Sequence, residues 1–270
     1  MKIWTNTNTL EGYDAGLNFT ALKNEAQIVL MGSKSINISD FPNINAIFRA
    51  GVGSDNVPTK DAEARNIVVR FPSSETINII FEETANFTCN SILKMSYLNT
   101  GSIVPWNKES RPPLSEKVLL VLGKGNIGNR VIKKMENFMK VISFDILENN
   151  MSDLKALIQS SDCISLHIPY SNENKNFIGE KELSWFKDGA ILINTARGKL
   201  VDEDALYNEI RKGRLKAAFD VYWEEPYSGK LNEFHPNSFF MTPHIASTCD
   251  AFLKGCRNDL DKLIQELPNE

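Results

Sequence analysis

Histidine occurs at only three positions in the chain, and its imidazole is the side chain best suited to carrying a proton near neutral pH. His235 lies in the turn sequence Phe-His-Pro-Asn, which favours a structural role. His167 ends one predicted strand and His244 follows another, and ligands of open parallel sheets bind beyond the carboxyl ends of the strands. Either of these two could be a proton donor, and spacing alone does not choose between them.

A glycine-rich turn has the spacing needed to bind a phosphate group. It follows the apolar run Val118–Leu122, which predicts a strand covered on both faces, and it precedes a predicted helix. Glycines at such a turn let backbone N–H groups approach a pyrophosphate at the helix N-terminus. The turn matches the pattern G-x-G-x-x-G and reads Gly123-Lys124-Gly125-Asn126-Ile127-Gly128.

An acidic residue completes this nucleotide-binding pattern. Asp145 lies 22 residues after Gly123 and closes the next predicted strand, where a carboxylate would accept hydrogen bonds from the adenosine ribose. The same carboxylate would repel a 2′-phosphate, and no Arg or Lys occurs between Ile146 and Asp153 to attract one. The sequence therefore predicts NAD as the cofactor, with NADP less favoured.

Strand and helix patterns alternate along the whole chain, which is typical of parallel sheets with helical crossovers. The length of 270 residues predicts two domains. We expect an α/β protein with two Rossmann-like or flavodoxin-like parallel-sheet domains and an active-site cleft between them. Residues 1–90 plus 249–270 would form the substrate domain, and residues 91–248 the NAD-binding domain.

The C-terminal segment predicts an amphipathic helix that returns to the first domain. A capping-box-like sequence, Ser247-x-x-Asp250, precedes it. Apolar residues then recur four positions apart and form one stripe. The stripe consists of Phe252, Cys256, Leu260 and Ile264.

The composition argues against several other classes of function. The formal net charge is −4, with acids and bases interspersed, so no basic surface predicts binding to nucleic acid. No apolar stretch has the length of a signal peptide or a membrane span. The four cysteines contain no C-x-x-C pair, which predicts reduced thiols and no metal site. We expect a cytoplasmic protein that binds neither nucleic acid nor membranes.

Five segments, in one order along the chain, resemble the D-2-hydroxyacid dehydrogenases. The resemblance extends from about Ala46 to Ser247, and one of the segments is similar to the arginine signature of that family. The five segments are Arg49–Val57, Ser165–Pro169, Asn194–Glu203, Asp220–Pro226 and Thr242–His244.

This resemblance implies hydride transfer between NAD and C2 of a small D-2-hydroxy or 2-keto acid, with glyoxylate, hydroxypyruvate and phosphoglycerate-like acids as candidates. Arg197 would bind the substrate carboxylate and polarise the C2 oxygen, a task that suits its planar cationic fork. His244 would exchange a proton with that oxygen, and Glu225 would hold the imidazole ring in its protonated form. Without the family register, Glu224 would be an equal candidate for this last role.

The resemblance also implies which residues bind the ligands. The backbone N–H groups of Val52 and Gly53 would hold the substrate carboxylate with help from Arg49, although an arginine at a strand end is more often solvated. Family members are usually homodimers joined through their cofactor domains, and we expect the same here. Beyond the glycine turn and Asp145, the cofactor site would comprise Asn126, Ile127, His167 and Pro169, with Thr195, Ala196 and Asp220 in contact with the nicotinamide end.

Three features depart from the family pattern. Only 22 positions separate Asp145 from His167, so a peripheral strand is expected to be missing on the adenine side. The loop Phe71–Glu75 lacks the usual Asn and Gly after its proline, and the amino-terminal domain is compact for the family.

An alternative function from another class is a nicotinamide-sensing corepressor without turnover. The presence of Arg197, Glu225 and His244 together disfavours it, because a sensor needs no proton donor. A formate-oxidising enzyme is disfavoured because that branch has Gln at the position of Glu225.

Overall fold

The computed structural model describes residues 1–268 of the chain. Its strands are β1 (Ile3–Thr5), β2 (Ile28–Met31), β3 (Ala46–Arg49), β4 (Val68–Arg70), β5 (Gly101–Ser102), β6 (Asn107–Lys108), β7 (Val118–Leu122), β8 (Lys140–Phe144), β9 (Cys163–Leu166), β10 (Ile191–Asn194), β11 (Lys216–Phe219) and β12 (Phe239–Met241). Its α-helices are α1 (Thr59–Ala64), α2 (Ser74–Ser96), α3 (Asn126–Met135), α4 (Leu154–Ser160), α5 (Glu180–Leu183), α6 (Glu203–Arg211) and α7 (Asp250–Glu266).

The chain divides into two compact units. Unit 1 comprises Met1–Phe81 together with the chain from Ser247 onward, and unit 2 comprises Glu82–Ala246. The change from one unit to the other falls inside α2. The division into a substrate domain and an NAD domain, with a boundary near residue 90, stays a prediction, because compactness does not establish what each unit binds.

Unit 1 contains a parallel sheet in the order β1-β2-β3-β4. Alternate residues of β2 enter different cores, as the period of two in a strand requires. Ile28 and Leu30 pack with the apolar stripe of α7, whereas Val29 and Met31 pack in a second core. The predicted return of the C-terminal helix to the first part of the chain is therefore observed.

The predicted start of that helix is wrong by two residues, because the predicted cap is Ser247 and the observed N-cap is Cys249. Cys249 is the N-cap of α7 in extended conformation, with no side-chain cap hydrogen bond. The Asp250 carboxylate instead accepts a hydrogen bond from the Tyr13 hydroxyl at 2.5 Å. The sequence pattern assigned Asp250 to a capping box, but its carboxylate instead makes a tertiary contact with Tyr13 within unit 1.

Unit 2 contains a six-stranded parallel sheet in the order β12-β11-β10-β9-β7-β8. All residues of β9 and β10 are buried, as expected of strands covered on both faces. One core includes α4, α5 and α6, and the other includes α3 and the second half of α2. This arrangement places the carboxyl ends of all six strands along one edge.

The sheet of unit 2 ends at β8, with no strand beyond it. The segment from Asp145 to Asp162 contains a 3-10 turn and α4 and no strand, so the shortening predicted from the sequence is confirmed. The first four residues of β8 are exposed or half-buried. β8 is consequently an open edge strand of this sheet.

A short antiparallel hairpin, β5–β6, precedes β7 and was not predicted from the sequence. Its tip exposes three large apolar side chains, Ile103, Val104 and Trp106, at 78%, 89% and 78% of their surface. Apolar residues concentrated in this way on a surface usually mark an interaction site.

Candidate active site

The predicted catalytic residues follow three neighbouring strands of unit 2. In the sheet, Asn194 of β10 pairs with Phe219 of β11, and Phe219 pairs with Met241 of β12. The carboxyl ends of these strands therefore lie side by side. Arg197, Glu225 and His244 lie in the loops that follow β10, β11 and β12 respectively.

His244 and Glu225 form an ion pair if the imidazole is protonated. The His244 Nδ1 atom is 2.8 Å from Glu225 Oε2 and 3.0 Å from Oε1. Both side chains are partly exposed, at 35% for His244 and 22% for Glu225. A carboxylate at Nδ1 orients the ring and leaves Nε2 as the nitrogen that can meet a ligand.

The backbone of His244 has φ of 54°, a left-handed conformation that costs a non-glycine residue about 1–3 kcal/mol unless the surroundings impose it. Asp220 supplies this constraint. Its carboxylate accepts hydrogen bonds from the Thr242 hydroxyl at 2.6 Å, the Ile245 N–H at 2.9 Å and the Ala246 N–H at 2.8 Å. The loop is thus fixed on both sides of His244.

Burial raises the pKa of Asp220, and the three hydrogen bonds that it accepts oppose that rise. The residue is 1% exposed. Its predicted contact with nicotinamide stays a prediction, whereas its role in holding the loop from Thr242 to Ala246 is observed. The motif alone did not reveal that role, because it depends on backbone groups 25 and 26 residues away.

Tyr222 holds the same loop from another side. Its hydroxyl accepts a hydrogen bond from the Thr242 N–H at 3.0 Å and lies 2.8 Å from the Thr242 carbonyl oxygen. The Tyr222 N–H donates to Glu225 Oε1 at 3.2 Å. Tyr222 therefore contacts both the segment that carries His244 and the carboxylate that orients it, and sequence reasoning did not identify it.

Arg197 is positioned by the buried side chain of Asn194. The Asn194 amide donates to the Arg197 carbonyl oxygen at 2.8 Å and accepts from the Ala196 N–H at 3.0 Å. Gly198 follows in a close approach to the next loop, because an added Cβ would lie 2.1 Å from the Tyr222 carbonyl carbon. The half-buried Arg197 is thereby held beside the loop that contains Glu225.

Thr195, predicted to contact nicotinamide, has its hydroxyl engaged within unit 2. The Thr195 and Thr88 hydroxyl oxygens are 2.8 Å apart, and Thr88 donates its proton to the Thr84 carbonyl oxygen at 2.7 Å. Thr195 is therefore the donor of the pair. Its hydroxyl proton is thus committed to Thr88, whereas its hydroxyl oxygen can still accept a hydrogen bond. The predicted contacts of Thr195 and of the half-buried Ala196 with nicotinamide stay predictions.

The structure distinguishes His167 from His244. His167 Nε2 lies 2.8 Å from the Ser165 hydroxyl oxygen, and burial lowers the pKa of His167 to about 3. Its backbone supports the glycine turn, because a Cβ on Gly123 would lie 2.6 Å from the His167 carbonyl oxygen. His167 is consequently neutral at ordinary pH. Pro169, two residues further along the chain, is exposed.

The glycine turn fits a pyrophosphate. Gly123 has φ of 98°, and a Cβ on Gly128 would lie 1.9 Å from the Gly123 carbonyl oxygen, so both positions require glycine. A Cβ on Gly125 would meet no atom within 4 Å, and no side chain caps α3. Open space therefore lies beside the first-turn N–H groups of α3, which include Asn126 and Ile127.

Asp145 stands where a ribose-binding carboxylate is expected. It accepts hydrogen bonds from the Leu147 N–H at 3.0 Å and the Lys124 N–H at 2.7 Å, and these two backbone groups lower its pKa. Lys124 also extends its ammonium group to Glu148 Oε2 at 2.5 Å. The sequence interpretation considered only cations after Asp145 and missed this lysine, which lies within the glycine turn.

The predicted substrate loop belongs to unit 1, and its arginine is buried rather than solvated. Arg49 donates from Nη1 to the Ala50 carbonyl oxygen at 2.7 Å and from Nε to the Gly53 carbonyl oxygen at 3.1 Å. The guanidinium therefore supports the loop containing Val52 and Gly53, both half-buried. Direct binding of substrate by these three residues stays a prediction.

The atypical loop before α2 is held by an acid on α7. Asp259 accepts hydrogen bonds from the Ser73 N–H and the Thr76 hydroxyl, both at 2.8 Å. Burial alone would raise the pKa of Asp259, but these hydrogen bonds outweigh it and lower the pKa. The loop thus replaces the missing family residues with a local polar network inside unit 1.

Two negative findings concern the 268 residues described. They contain no group of three or more His, Cys, Asp or Glu side chains arranged to hold a metal ion. None of the helices in this part of the chain combines the length and apolar character that crossing a membrane requires.

Comparisons with known proteins identify the family to which this chain belongs. Residues 95–246, more than half of the chain, match the family described as D-isomer specific 2-hydroxyacid dehydrogenase, NAD binding domain. The chain is 32% identical over 241 residues to hydroxypyruvate reductase of Thermotoga maritima, covering 83% of this chain and 78% of that protein. It is 33% identical over 233 residues to glyoxylate reductase of Thermofilum pendens, covering 76% and 66% respectively.

The fold is also similar to that of solved enzymes. D-lactate dehydrogenase from Aquifex aeolicus, solved in complex with NAD and lactic acid, superposes with a TM-score of 0.80 at 25% identity, covering 98% of this chain and 94% of that one. The chain belongs to the D-isomer specific 2-hydroxyacid dehydrogenase family and is an NAD-dependent oxidoreductase that acts on a small 2-hydroxy or 2-keto acid.

Proposed function

We propose that Arg197, His244 and Glu225 are the catalytic residues of this oxidoreductase. The observation that carries the proposal is the pairing of His244 Nδ1 with the Glu225 carboxylate at 2.8 Å. His244 would donate a proton from Nε2 to the C2 oxygen when a keto acid is reduced and remove it when a hydroxy acid is oxidised. Glu225 would keep the ring oriented and stabilise its cationic form.

Arg197 would act on the charges of the substrate. Its guanidinium matches a carboxylate with two parallel hydrogen bonds. Bound NADH supplies a hydride to C2, and negative charge then develops on the C2 oxygen. A cation and a proton donor directed at that oxygen stabilise the transition state more than the ground state.

The cofactor site would use the residues of unit 2 that the resemblance implies. The N–H groups of Asn126 and Ile127 would bind the pyrophosphate, and Asp145 would accept hydrogen bonds from the ribose. Neutral His167 would act as a support for the glycine turn and not as the proton donor, because its pKa is about 3.

We further propose glyoxylate or hydroxypyruvate as the substrate, since relatives covering most of this chain are named for reducing those acids. NADH oxidation should be measured with glyoxylate, hydroxypyruvate and pyruvate. Turnover with one of the first two is expected. NADH binding without turnover of any 2-keto acid would contradict the proposal and favour a nicotinamide sensor.

Arg197→Lys tests the assignment of the carboxylate ligand. Lysine keeps the charge but loses the fork, so KM for the keto acid should rise about tenfold or more, the effect of losing one charge-assisted hydrogen bond. The same change at Arg211, on α6, is the control. An unchanged KM in Arg197→Lys would remove Arg197 from the proposed site.

The hairpin tip supports a homodimer joined through unit 2. Ile103, Val104 and Trp106 expose apolar surface that a second copy of the chain would cover. Val104→Ser/Trp106→Ser should shift the protein to monomers in sedimentation experiments. Leu22→Ser, which changes an exposed leucine of unit 1, should not. A double variant that remains dimeric would place the interface elsewhere.

We also propose that the enzyme acts in the cytoplasm. All four cysteines are free thiols, and free thiols are typical of a reducing compartment. Fractionation of the cells that make the protein would test this, and recovery outside the cytoplasmic fraction would contradict it.

A further inference from the structure

The ribose end of the cofactor site contains two carboxylates and one ammonium group. Asp145 and Glu148 are the carboxylates, and the Lys124 ammonium lies 2.5 Å from Glu148 Oε2. The ammonium is thus paired with Glu148, whereas the Asp145 carboxylate accepts hydrogen bonds from the Lys124 and Leu147 N–H groups. The local charge is net negative, which opposes a 2′-phosphate.

Backbone hydrogen bonds fix these three residues relative to one another. The Lys124 N–H donates to Asp145 Oδ2 at 2.7 Å, and the Lys124 carbonyl oxygen accepts from the Asn129 side chain at 2.6 Å. The turn that begins at Asp145 is closed by the Glu148 N–H, which donates to the Asp145 carbonyl oxygen at 2.9 Å. The Asn149 side chain accepts the Asp145 N–H at 2.9 Å.

In this geometry the Lys124 ammonium can pair either with Glu148 or with a 2′-phosphate, and the two pairings have opposite effects on the binding of NADP. The backbone N–H of Lys124 donates to the Asp145 carboxylate, so its side chain would start beside the 2′-oxygen of a ribose that Asp145 binds. The ammonium now reaches Glu148, three residues beyond Asp145, on the rim formed by the open edge of the sheet. A 2′-phosphate would compete with Glu148 for the same cation.

We propose that Glu148 is a specificity-determining residue that excludes NADP by holding the Lys124 ammonium, and that Lys124 is a latent ligand for the 2′-phosphate. The proposal rests on the cofactor site described under the proposed function. Lys124 lies at the second position of the glycine turn, and Glu148 lies on the turn that begins at the ribose-binding acid. Cofactor choice would therefore depend on an ion pair between these two segments as well as on Asp145.

The test measures cofactor binding without substrate, by the fluorescence of NADH and NADPH titrated with protein. Glu148→Gln should tighten NADPH binding about tenfold, the effect of one charge-assisted hydrogen bond to phosphate, and change NADH binding less than about twofold. The gain should shrink at high salt, because the new contact is partly exposed. Glu136→Gln, at the C-terminal end of α3, makes the same change of charge elsewhere in unit 2 and should have no effect.

The double variant Lys124→Met/Glu148→Gln separates a direct contact from a general change of charge. Loss of the NADPH gain in the double variant supports the proposal. Persistence of the gain without Lys124, absence of any gain in Glu148→Gln, or an equal gain in Glu136→Gln would overturn it. Failure of the wild-type protein to bind either dinucleotide would instead show that the cofactor site is wrong, and the proposal would fall with it.

Discussion

The two ends of the sheet edge in unit 2 are built differently. At the end formed by β10, β11 and β12, the buried Asp220 carboxylate holds the loop on both sides of His244. At the end formed by β7 and β8, the main polar contacts are backbone hydrogen bonds to Asp145 and the Lys124–Glu148 pair, whose side chains are 29% and 54% exposed.

This contrast indicates which end tolerates change. A buried hydrogen-bonded group leaves unsatisfied partners when it is removed, which costs about 1–3 kcal/mol for each of them. An exposed ion pair contributes only about 0–1 kcal/mol to stability. If the proposed roles hold, the end with His244 should respond to substitution in turnover and stability, and the end with Asp145 chiefly in the affinity for the cofactor.

The largest effect is expected from His244→Ala. Removal of the proton donor should reduce kcat by about 10²–10⁴, while NADH binding, measured by fluorescence titration, stays within about twofold. His235→Ala is the control, since that ring stacks on Phe240 and accepts the Met241 N–H. Full activity of the His244→Ala variant would contradict the proposal that His244 is the proton donor.

Asp220→Ala should come next. It removes the acceptor for the Ile245 and Ala246 N–H groups and so releases the strained backbone of His244. We expect the free energy of unfolding to fall by more than the roughly 1–3 kcal/mol that one unsatisfied partner costs, because three donors lose their acceptor. We also expect a lower kcat and little change in NADH affinity. Asp204→Ala, at an acid whose side chain is 83% exposed, is the control for chemical denaturation. A fully active Asp220 variant would contradict this positioning role.

Asp145→Ala tests the other end of the sheet edge, which β7 and β8 form. Loss of the ribose acceptor should weaken NADH binding about tenfold, as expected for hydrogen bonds to a charged group, and leave kcat at saturating NADH nearly unchanged. Titration and steady-state kinetics separate the two quantities. A large fall in kcat with unchanged NADH affinity would reverse the assignment of the two ends.

The smallest effect concerns the pH dependence of stability. The pKa of Asp220 in the folded protein is raised above its ordinary value of 3.8. The free energy of unfolding of the wild type, relative to that of Asp220→Asn, should therefore fall as pH rises from about 4 through the raised pKa. The folded pKa of Asp145 is lowered, so the advantage over Asp145→Asn should be present above about pH 4 and be lost as pH falls. Denaturation at a series of pH values measures how the free energy of unfolding changes with pH in each pair of proteins. A change of the same sign for Asp220 and Asp145 would contradict the difference between the two ends.

Much of the fold could be predicted from local pattern. The run that forms β7 has the predicted bounds, Val118–Leu122, because continuous apolar runs are typical of strands in covered parallel sheets. The β5–β6 hairpin was missed because its strands have two residues each and no alternation. The start of α7 was misplaced because the Asp250 side chain bonds to Tyr13, which is distant in sequence.

The sequence by itself determined the nucleotide-binding turn, the acid that follows it and membership of the family, because these depend on residue types at fixed spacings. Only the tertiary structure distinguished His244 from His167, since one ring meets a carboxylate and the other is buried beside a serine. It alone also joined Lys124 to Glu148. The His244–Glu225 and Lys124–Glu148 contacts join residues 19 and 24 positions apart. The energies of all three contacts depend on burial and orientation, which spacing along the sequence does not encode.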